Sequence, residues 1–291
     1  MNDSHEALFW HTEANGAARC GLCPRECLIQ HDAKGFCGVR ENRHGSLIAA
    51  GYGVVSSIAL DPIEKKPLYM FCPGSRILSL GGFGCNLRCP FCQNYEISIE
   101  YGDPARAGKA ITPDEVTRLA VEAIPEGNTG VAFTYNEPLI GYEFVHDCAR
   151  LVHEVGLYNV LVTNGFINRE PLEAILPLID AVNIDLKGFT SRFYAGLGDG
   201  RALETVKGSI ELCANRCHVE VTTLVIPGEN EDDVGELSRW LSSVDPSIPL
   251  HLTRFFPRYR YADKQATQAE RLFKLREEAL RHLENVFVGN V

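Results

Sequence analysis

The sequence lacks the long apolar run that a membrane-spanning helix requires. No window approaches the roughly 18 to 20 consecutive apolar residues that cross a bilayer, and the start, MNDSHEALFWH, lacks the basic and then apolar order of a secretory signal. Positive charge is also scarce, since 28 Lys and Arg stand against 38 Asp and Glu. These absences argue against insertion, secretion and broad binding to phosphate backbones. We therefore expect a cytoplasmic protein whose partners include neither a membrane nor a nucleic acid.

Internal repeats, low-complexity runs and long linkers are missing as well, so the parts of the chain should pack directly on one another. The 291 residues are 45% hydrophobic, which suffices for one large barrel or two ordinary domains. From about residue 75 onward, apolar or β-branched runs alternate with helix-like segments, as in strand–helix units around a parallel sheet. Six runs are predicted to be strands: 76–82, 130–134, 158–163, 181–186, 218–226 and 250–255.

Helix start signals lie between these runs. Thr112, Pro113 and Glu115 supply an N-cap, a first-turn proline and a capping-box partner. Further along the chain, Asn230 and Thr267 are predicted to cap two more helices. Signals of this kind are absent from a random apolar run, so they support the alternation of strands with ordered helices.

These patterns predict an α/β fold with two parts. Because strand–helix–strand crossovers are right-handed, six units favour a partial (β/α)6 barrel of the TIM type, which we expect over residues 75–291. The first 70 or so residues are polar and turn-rich, without a long helical period. We expect residues 1–74 to form a small cysteine-rich accessory layer on the barrel.

Eleven cysteines in a cytosolic chain point to metal or redox chemistry more than to disulfides. Cys85, Cys89 and Cys92 form C-x3-C-x2-C in GGFGCNLRCPFCQN, directly after the first predicted strand. Three thiolates at this spacing can close over one face of a 4Fe-4S cubane and leave the fourth iron open to a substrate. A zinc or redox-inert loop is the alternative, although a structural zinc site requires four ligands.

A second group of cysteines lies in the accessory region and follows C-x2-C-x3-C-x9-C. Its members are Cys20, Cys23, Cys27 and Cys37. Four ligands so arranged can hold zinc or a second iron–sulfur cluster, with zinc slightly favoured. A metal here would fold a layer that has little apolar mass of its own. The other four, Cys72, Cys148, Cys213 and Cys217, are expected to be packing residues.

Polar residues recur where the later predicted strands end, in TYNEP, TNG and IDLK. Each has an ordinary structural interpretation. Glu137 can cap a helix, Asn164 can shape a turn, Asp185 and Lys187 can form an ion pair, and His251 can be a packing residue. Because barrels build their sites at the carboxyl ends of strands, the recurrence favours a functional interpretation of the set.

The C-x3-C-x2-C loop, with the aromatic Phe91 before the last cysteine, resembles the signature of the radical SAM superfamily. The resemblance implies cofactor-binding roles for Asn136, Glu137, Thr163, Asn164, Asp185, Lys187 and His251. The acidic residue of TYNEP would hold the methionine ammonium, although the superfamily has a Gly-Gly-Glu-type element there. TNG would contact the ribose and carboxylate, the Asp-x-Lys element would lie over the adenosyl moiety, and the histidine would lie near the adenine.

A narrower resemblance covers nearly the whole chain. CGLCPRECLI, GFCGVRENRHG, DPIEKKPLY, TYNEP, IDLKGF and RFFPRY are similar to the radical SAM component of the AmmeMemoRadiSam system, a relative of pyruvate formate-lyase activating enzymes. One departure is at the end, VFVGNV, where that family has a further cysteine-bearing tail.

The resemblance implies an oxygen-sensitive enzyme that reductively cleaves S-adenosylmethionine at a 4Fe-4S cluster. The resulting 5'-deoxyadenosyl radical would abstract a hydrogen atom, either from a glycine of a partner protein or from an unknown small molecule. A non-catalytic metal-bearing scaffold is the third alternative. A flavodoxin or ferredoxin is the electron donor expected by analogy.

Overall fold

The computed structural model describes residues 5–291, except for the side chains of Ala14 and Ala105. Six short strands come first: β1 (Trp10–Thr12), β2 (Ala18–Cys20), β3 (Leu28–Ile29), β4 (Arg40–Arg43), β5 (Ser46–Ala49) and β6 (Val54–Val55). An antiparallel sheet contains β1, β2 and β3, and β4 pairs with β5 as a hairpin. The cysteine-rich part of the chain is therefore a layer of short strands joined by turns, as its lack of helical periodicity predicts.

The remaining strands are β7 (Ser57–Pro62), β8 (Arg76–Gly81), β9 (Lys109–Ala110), β10 (Asn128–Thr134), β11 (Tyr158–Thr163), β12 (Ala181–Asp185), β13 (His218–Val225), β14 (Leu250–Arg254) and β15 (Val286–Gly289). Eight of them form one sheet in the order β15-β14-β13-β12-β11-β10-β8-β7. All neighbours from β8 to β15 are parallel, and β7 is antiparallel to β8. This sheet confirms the predicted α/β fold class.

The α-helices are α1 (Tyr95–Ser98), α2 (Pro104–Ala107), α3 (Pro113–Glu122), α4 (Tyr142–Glu154), α5 (Arg169–Ile175), α6 (Ser191–Gly196), α7 (Ala202–Ala214), α8 (Val234–Val244) and α9 (Ala269–Ala279). Short 3-10 helices lie at Ala14–Gly16, Ile63–Lys65, Ile124–Glu126, Pro138–Gly141, Leu176–Leu178, Glu231–Asp233 and Tyr259–Tyr261. No helix within residues 5–291 has the length and apolar character needed to cross a membrane.

All six predicted strands are present, and the sheet gains two more at its edges. The run Ser57–Pro62 is only partly buried along its length and ends in an exposed proline. It therefore lacks the alternation of buried and exposed residues that predicts a strand. The last strand, Val286–Gly289, has only four residues. Ser57–Pro62 also shows that part of the region expected to be accessory belongs to the barrel sheet.

The capping box at the start of α3 is confirmed. The Thr112 hydroxyl accepts a hydrogen bond from the Glu115 backbone N–H, and the Glu115 carboxylate accepts one from the Thr112 backbone N–H. Two of the orphan donors at the helix start are thereby satisfied. The crossover from β8 to β10 consequently ends in a helix with a defined beginning.

Helices also begin just beyond Asn230 and Thr267, as predicted, but neither side chain caps them, because tertiary contacts use the same groups. Asn230 occupies the N-cap position of the 3-10 helix Glu231–Asp233, but its side-chain amide donates to the carbonyl oxygens of Lys187 and Leu224, at 2.7 and 2.8 Å, and makes no capping bond. The Thr267 hydroxyl donates to the Val225 carbonyl at 2.6 Å, while α9 begins two residues later. Both residues therefore connect neighbouring loops and strands of the barrel.

The segment between β7 and β8 covers one face of the sheet and is held by a buried carboxylate. Glu220 accepts hydrogen bonds from the backbone N–H groups of Tyr69 and Met70, at 3.0 and 2.8 Å. The imidazoles of His218 and His251 lie 2.9 and 2.6 Å from its oxygens. Burial alone would raise the pKa of Glu220, but these hydrogen bonds outweigh it and lower the pKa to about 2.

Replacing Glu220 by glutamine should destabilise the fold in a pH-dependent way. The folded pKa of about 2 lies below the ordinary value of 4.5, so the carboxylate contributes stability above about pH 4.5 that is lost as the pH falls toward 2. The shift corresponds to roughly 3 kcal/mol at neutral pH. Denaturant unfolding of Glu220→Gln and of the exposed control Glu211→Gln, measured at neutral and acidic pH, checks this. An equal loss of stability at both pH values would contradict it.

Candidate functional site

The loop that follows β8, residues 82–94, carries three cysteines and is called the cysteine loop below. The Cys89 side chain is buried, and those of Cys85 and Cys92 are partly buried. Burial raises the pKa of all three thiols, that of Cys89 to about 12, and the neighbouring cysteines raise the pKa of Cys85 and Cys89 further. Ionising three adjacent buried thiols requires a compensating cation, which a bound metal supplies.

Glycines and one amide fix the path of the cysteine loop. Gly84 has φ +82°, a conformation that favours glycine, and a Cβ there would lie 2.3 Å from the Cys37 carbonyl oxygen. The Asn136 side chain accepts a hydrogen bond from the Gly82 N–H at 2.9 Å and donates to the Gly84 carbonyl at 3.1 Å. Asn136, predicted to bind a cofactor, thus holds the backbone that presents the first cysteine.

Glu137 lies just beyond the carboxyl end of β10 and is buried. Its carboxylate accepts hydrogen bonds from the Leu139 N–H at 3.0 Å, the Thr163 hydroxyl at 2.8 Å and the Asn164 N–H at 2.7 Å. Burial outweighs these bonds and the positive charge of Lys187, and it raises the pKa of Glu137 to about 7. The side chain does cap a short 3-10 helix, and it also joins the ends of β10 and β11.

Asn164 joins the end of β11 to the cysteine loop. Its side-chain N–H group donates to the Asn86 side-chain oxygen at 2.9 Å and lies 3.6 Å from the Cys85 sulfur. Its own oxygen accepts from the Phe166 N–H at 2.9 Å, which is the turn contact expected of an asparagine. One residue therefore shapes the turn and also reaches a cysteine of the loop.

Asp185 and Lys187 form an ion pair of 2.9 Å at the end of β12. Burial alone would lower the pKa of Lys187, but the charges of Asp185 and Cys89 outweigh it and raise that pKa. The Tyr194 hydroxyl accepts a hydrogen bond from the Lys187 N–H at 3.1 Å. The pair is thus an interaction of the barrel rim that also places a fixed cation near the thiols of the cysteine loop.

The structure does not bring His251 to the cysteine loop. Its ring is buried among Glu220, Tyr69 and Phe287. The centroid of the imidazole lies 4.7 Å from that of the Tyr69 ring and 5.3 Å from that of the Phe287 ring. The buried carboxylate of Glu220 needs hydrogen-bond donors, and His251 lies where it can provide one. Its contacts match the packing interpretation, and the remaining predicted cofactor residues lie at the ends of β10, β11 and β12.

The other cysteines fall into two classes. Cys20, Cys23, Cys27 and Cys37 line a single cavity next to the cysteine loop. Of the remaining four, Cys148 and Cys213 are buried in the hydrophobic core, as predicted, and Cys72 and Cys217 are partly buried. The first class is therefore a second candidate centre, whereas the buried pair of the second class packs in the core.

The metal chemistry that these residues fit is that of a cluster. The thiolates of a 4Fe-4S cluster need not converge on one point, because each binds a different iron atom. Three neighbouring thiols on one glycine-shaped loop fit such a cluster.

Three contact residues were not singled out from the sequence. Asn86 and Arg88 lie inside the cysteine loop, and Tyr194 lies in α6. The Arg88 guanidinium donates to the Cys85 carbonyl at 2.7 Å and to the Phe36 carbonyl at 2.5 Å. Proximity to the cysteines was a usable signal for Asn86 and Arg88, whereas nothing local marks Tyr194.

Comparison with known proteins identifies the family. The family model described as Radical SAM superfamily matches residues 80–241, which include the cysteine loop and the strand ends described above. The chain belongs to the radical SAM superfamily. Membership implies a 4Fe-4S cluster and S-adenosylmethionine as cofactors.

Two relatives illustrate the range of similarity. Uncharacterized protein MJ0808 of Methanocaldococcus jannaschii is 39% identical over 98% of this chain and 85% of its own length. Pyruvate formate-lyase 1-activating enzyme of Escherichia coli strain K12 is 28% identical over 62% of this chain and 75% of its own length. The resemblance to activating enzymes is thus present, but distant.

Solved structures share the fold. Streptococcus suis SuiB bound to S-adenosylmethionine matches with a TM-score of 0.56 and 14% identity, over 71% of this chain and 48% of that one. TYW1 with a lysine-pyruvate adduct bound matches with a TM-score of 0.53 and 15% identity, over 78% and 84%. The partial barrel predicted from the sequence is the fold these enzymes have in common.

Replacing Gly84 by alanine should strongly reduce iron loading of the cysteine loop. The new Cβ would lie 2.3 Å from the Cys37 carbonyl oxygen, so the loop must shift. Gly74→Ala is a matched control, because Gly74 has nearly the same φ, +80°, with no atom within 4 Å of the added Cβ. After anaerobic reconstitution we expect Gly84→Ala to lose much of the iron bound by the cysteine loop, whereas Gly74→Ala should load iron as the wild type does. Equal iron contents would show that the contact with Cys37 does not position the loop.

Proposed function

We propose that this protein binds a 4Fe-4S cluster on Cys85, Cys89 and Cys92 and cleaves S-adenosylmethionine to generate a 5'-deoxyadenosyl radical. When bound, the cluster supplies one electron to the sulfonium, and the bond to the adenosyl carbon breaks. Three thiolates leave one iron without a protein ligand, which is the position that the amino and carboxylate groups of the substrate require. Family membership and the chemistry of the loop support this proposal.

One continuous hydrogen-bonded path carries the proposal. It runs from the Cys85 sulfur to Asn164, from the Asn164 N–H to Glu137, and from Glu137 to the Thr163 hydroxyl. These residues come from the ends of β8, β10 and β11, so a ligand of the open iron would meet them together. Glu137 is the anion of this path, and we assign it to the amino group of S-adenosylmethionine.

The opposite charge lies at the end of β12. Lys187 is held by Asp185 at 2.9 Å, and its charge acts on both Cys89 and Glu137. A fixed ammonium beside thiolates and an ionised carboxylate offsets their mutual repulsion in a buried site. We propose that Asp185 and Lys187 border the adenosyl end of the substrate, and that the buried walls keep water from the radical.

For the hydrogen atom that the radical removes, we favour a glycine of a partner protein. The support is the similarity to the pyruvate formate-lyase 1-activating enzyme of Escherichia coli. The chain would then act as an activating enzyme, with a flavodoxin or ferredoxin as electron donor. Radical modification of a small molecule is the competing proposal, and the two differ in the number of turnovers.

Anaerobic reconstitution, reduction with dithionite and addition of S-adenosylmethionine should yield 5'-deoxyadenosine. Cys89→Ala should yield none, because it removes one of the three thiolates, whereas Cys72→Ala, a partly exposed cysteine outside both groups, should match the wild type. Chromatographic quantification of 5'-deoxyadenosine checks both statements. A cluster-loaded wild type that makes no product would favour a non-catalytic scaffold.

The same reaction, repeated with anaerobic extract of the source cells, tests the choice of substrate. An activating enzyme should leave a stable carbon-centred radical on a protein, seen by electron paramagnetic resonance, with one 5'-deoxyadenosine formed for each radical. Many turnovers without a protein radical would contradict the activating role and leave the cleavage itself intact.

The affinity for S-adenosylmethionine should fall as the pH drops through about 7. Protonation of Glu137 removes its attraction for the substrate's amino group, so an approximately tenfold weaker affinity is expected from about pH 8 to about pH 6. Glu137→Gln should bind weakly at both values. Equilibrium binding to the cluster-loaded proteins measures this. At each pH, the affinity of the wild type divided by that of Glu137→Gln gives the contribution of the carboxylate. A ratio that does not change with pH would exclude Glu137 from the binding site.

A further inference from the structure

The cavity lined by the four accessory-layer cysteines is built between that layer and the cysteine loop. Its walls contain Cys20, Leu22, Cys23, Arg25, Cys27, Ile29, Gly35, Cys37, Arg40, Asn86 and Ile140. Two arginines therefore share one cavity with four thiols. Since nearly all charged groups avoid the interior unless they have a partner, this combination needs an explanation.

Both arginines have buried donors that lack a partner. Arg40 is only 1% exposed, lies 3.4 Å from the Cys20 sulfur through Nη1 and forms an ion pair with Glu143, yet its Nε has no hydrogen-bond acceptor. Nη2 of Arg25 is likewise buried without an acceptor. An unsatisfied buried donor costs about 1 to 3 kcal/mol. Two positively charged side chains in the wall of a four-thiol cavity favour an occupant that is anionic and rich in sulfur.

An iron–sulfur cluster has these properties. Its cysteine and sulfide sulfurs accept N–H hydrogen bonds, and four thiolate ligands give the whole centre a negative charge. An anionic occupant of this cavity would have the positive charges of Arg25 and Arg40 in its wall.

The arrangement of the thiols fits a cluster better than zinc. A zinc ion draws four sulfurs to about 2.3 Å from one point. Here the four thiols line the wall of a cavity. In a cubane, each of four thiolates binds its own iron atom, so the sulfurs stand apart.

We propose that Cys20, Cys23, Cys27 and Cys37 hold a second 4Fe-4S cluster, fully ligated by cysteine and bordered by Arg25 and Arg40. The site adjoins the first one, because Arg25 Nε donates to the Asn86 carbonyl at 2.6 Å and Asn86 directly follows Cys85. The second cluster is independent of the proposed reaction, since its ligands are separate from those of the cysteine loop.

Iron and sulfide analysis of anaerobically reconstituted protein tests the proposal. The wild type should contain about eight iron and about eight sulfide per chain, and a triple alanine variant of Cys85, Cys89 and Cys92 should retain about four of each. That variant should make no 5'-deoxyadenosine, so failure of the reaction and failure of the second site are distinguishable. A triple variant with zinc in place of iron, or without metal, would overturn the proposal.

A second measurement does not depend on removing any cysteine. In the triple variant, Arg25→Gln should make the midpoint potential of the remaining cluster more negative, because a positive charge beside it is lost. Arg19→Gln is a suitable control, since Arg19 pairs with Glu13 and is not part of the cavity wall. Potentiometric titration followed by electron paramagnetic resonance gives both values. No difference between the two variants would contradict the assignment of Arg25 to the cluster.

Discussion

The packing of the accessory layer against the cysteine loop is the contact on which the site depends. The loop from Gly82 to Asn94 contains no helix or strand of its own, so its position comes from its neighbours. Arg88 donates to the carbonyl of Phe36, and Gly84 leaves room for the carbonyl of Cys37. The guanidinium groups of Arg25 and Arg88 both lie over the Phe36 ring, 3.5 and 4.2 Å from its centroid. Two charged groups are thereby fixed beside the thiols.

The barrel contributes a second constraint through its strand ends. Parallel strands bring their carboxyl ends to one edge of the sheet, so residues from β10, β11 and β12 meet the loop after β8. Glu137 lies there, buried, with a pKa raised to about 7. Such a carboxylate is unfavourable for folding at neutral pH, in contrast to Glu220, whose hydrogen bonds lower its pKa. The opposite pKa shifts therefore distinguish Glu137, which is suited to binding a ligand, from Glu220, which stabilises the fold.

Much of the fold could be predicted from the sequence, because the information is local. Strand runs, the capping box at Thr112 and the spacing of Cys85, Cys89 and Cys92 are all properties of short segments. The resemblance to a known superfamily added roles for Glu137 and Asn164 that spacing alone does not supply. Both residues lie at the ends of neighbouring strands, and their cofactor-binding roles stay predictions.

The rest depends on contacts between distant parts of the chain. Asn230 and Thr267 have the composition of helix caps, but carbonyl groups elsewhere in the barrel take their hydrogen bonds. His251 lies on a predicted strand, yet its partner Glu220 is 31 residues away and draws it into a separate cluster. The unpaired donors of Arg25 and Arg40 become visible only when the cavity is formed. Contacts between residues that are distant in the sequence leave no periodicity or motif from which they could be predicted.

Electron paramagnetic resonance of the reduced protein tests the central claim, that the cysteine loop presents an iron with an open position to S-adenosylmethionine. The sample of choice carries the double substitution Cys23→Ser/Cys27→Ser, which removes two ligands of the proposed second cluster, so that only the cluster of the cysteine loop contributes. Addition of S-adenosylmethionine labelled with ¹⁷O in its carboxylate should change the spectrum and broaden it by hyperfine coupling. An unchanged spectrum from a loaded cluster, with ligand bound, would contradict the account.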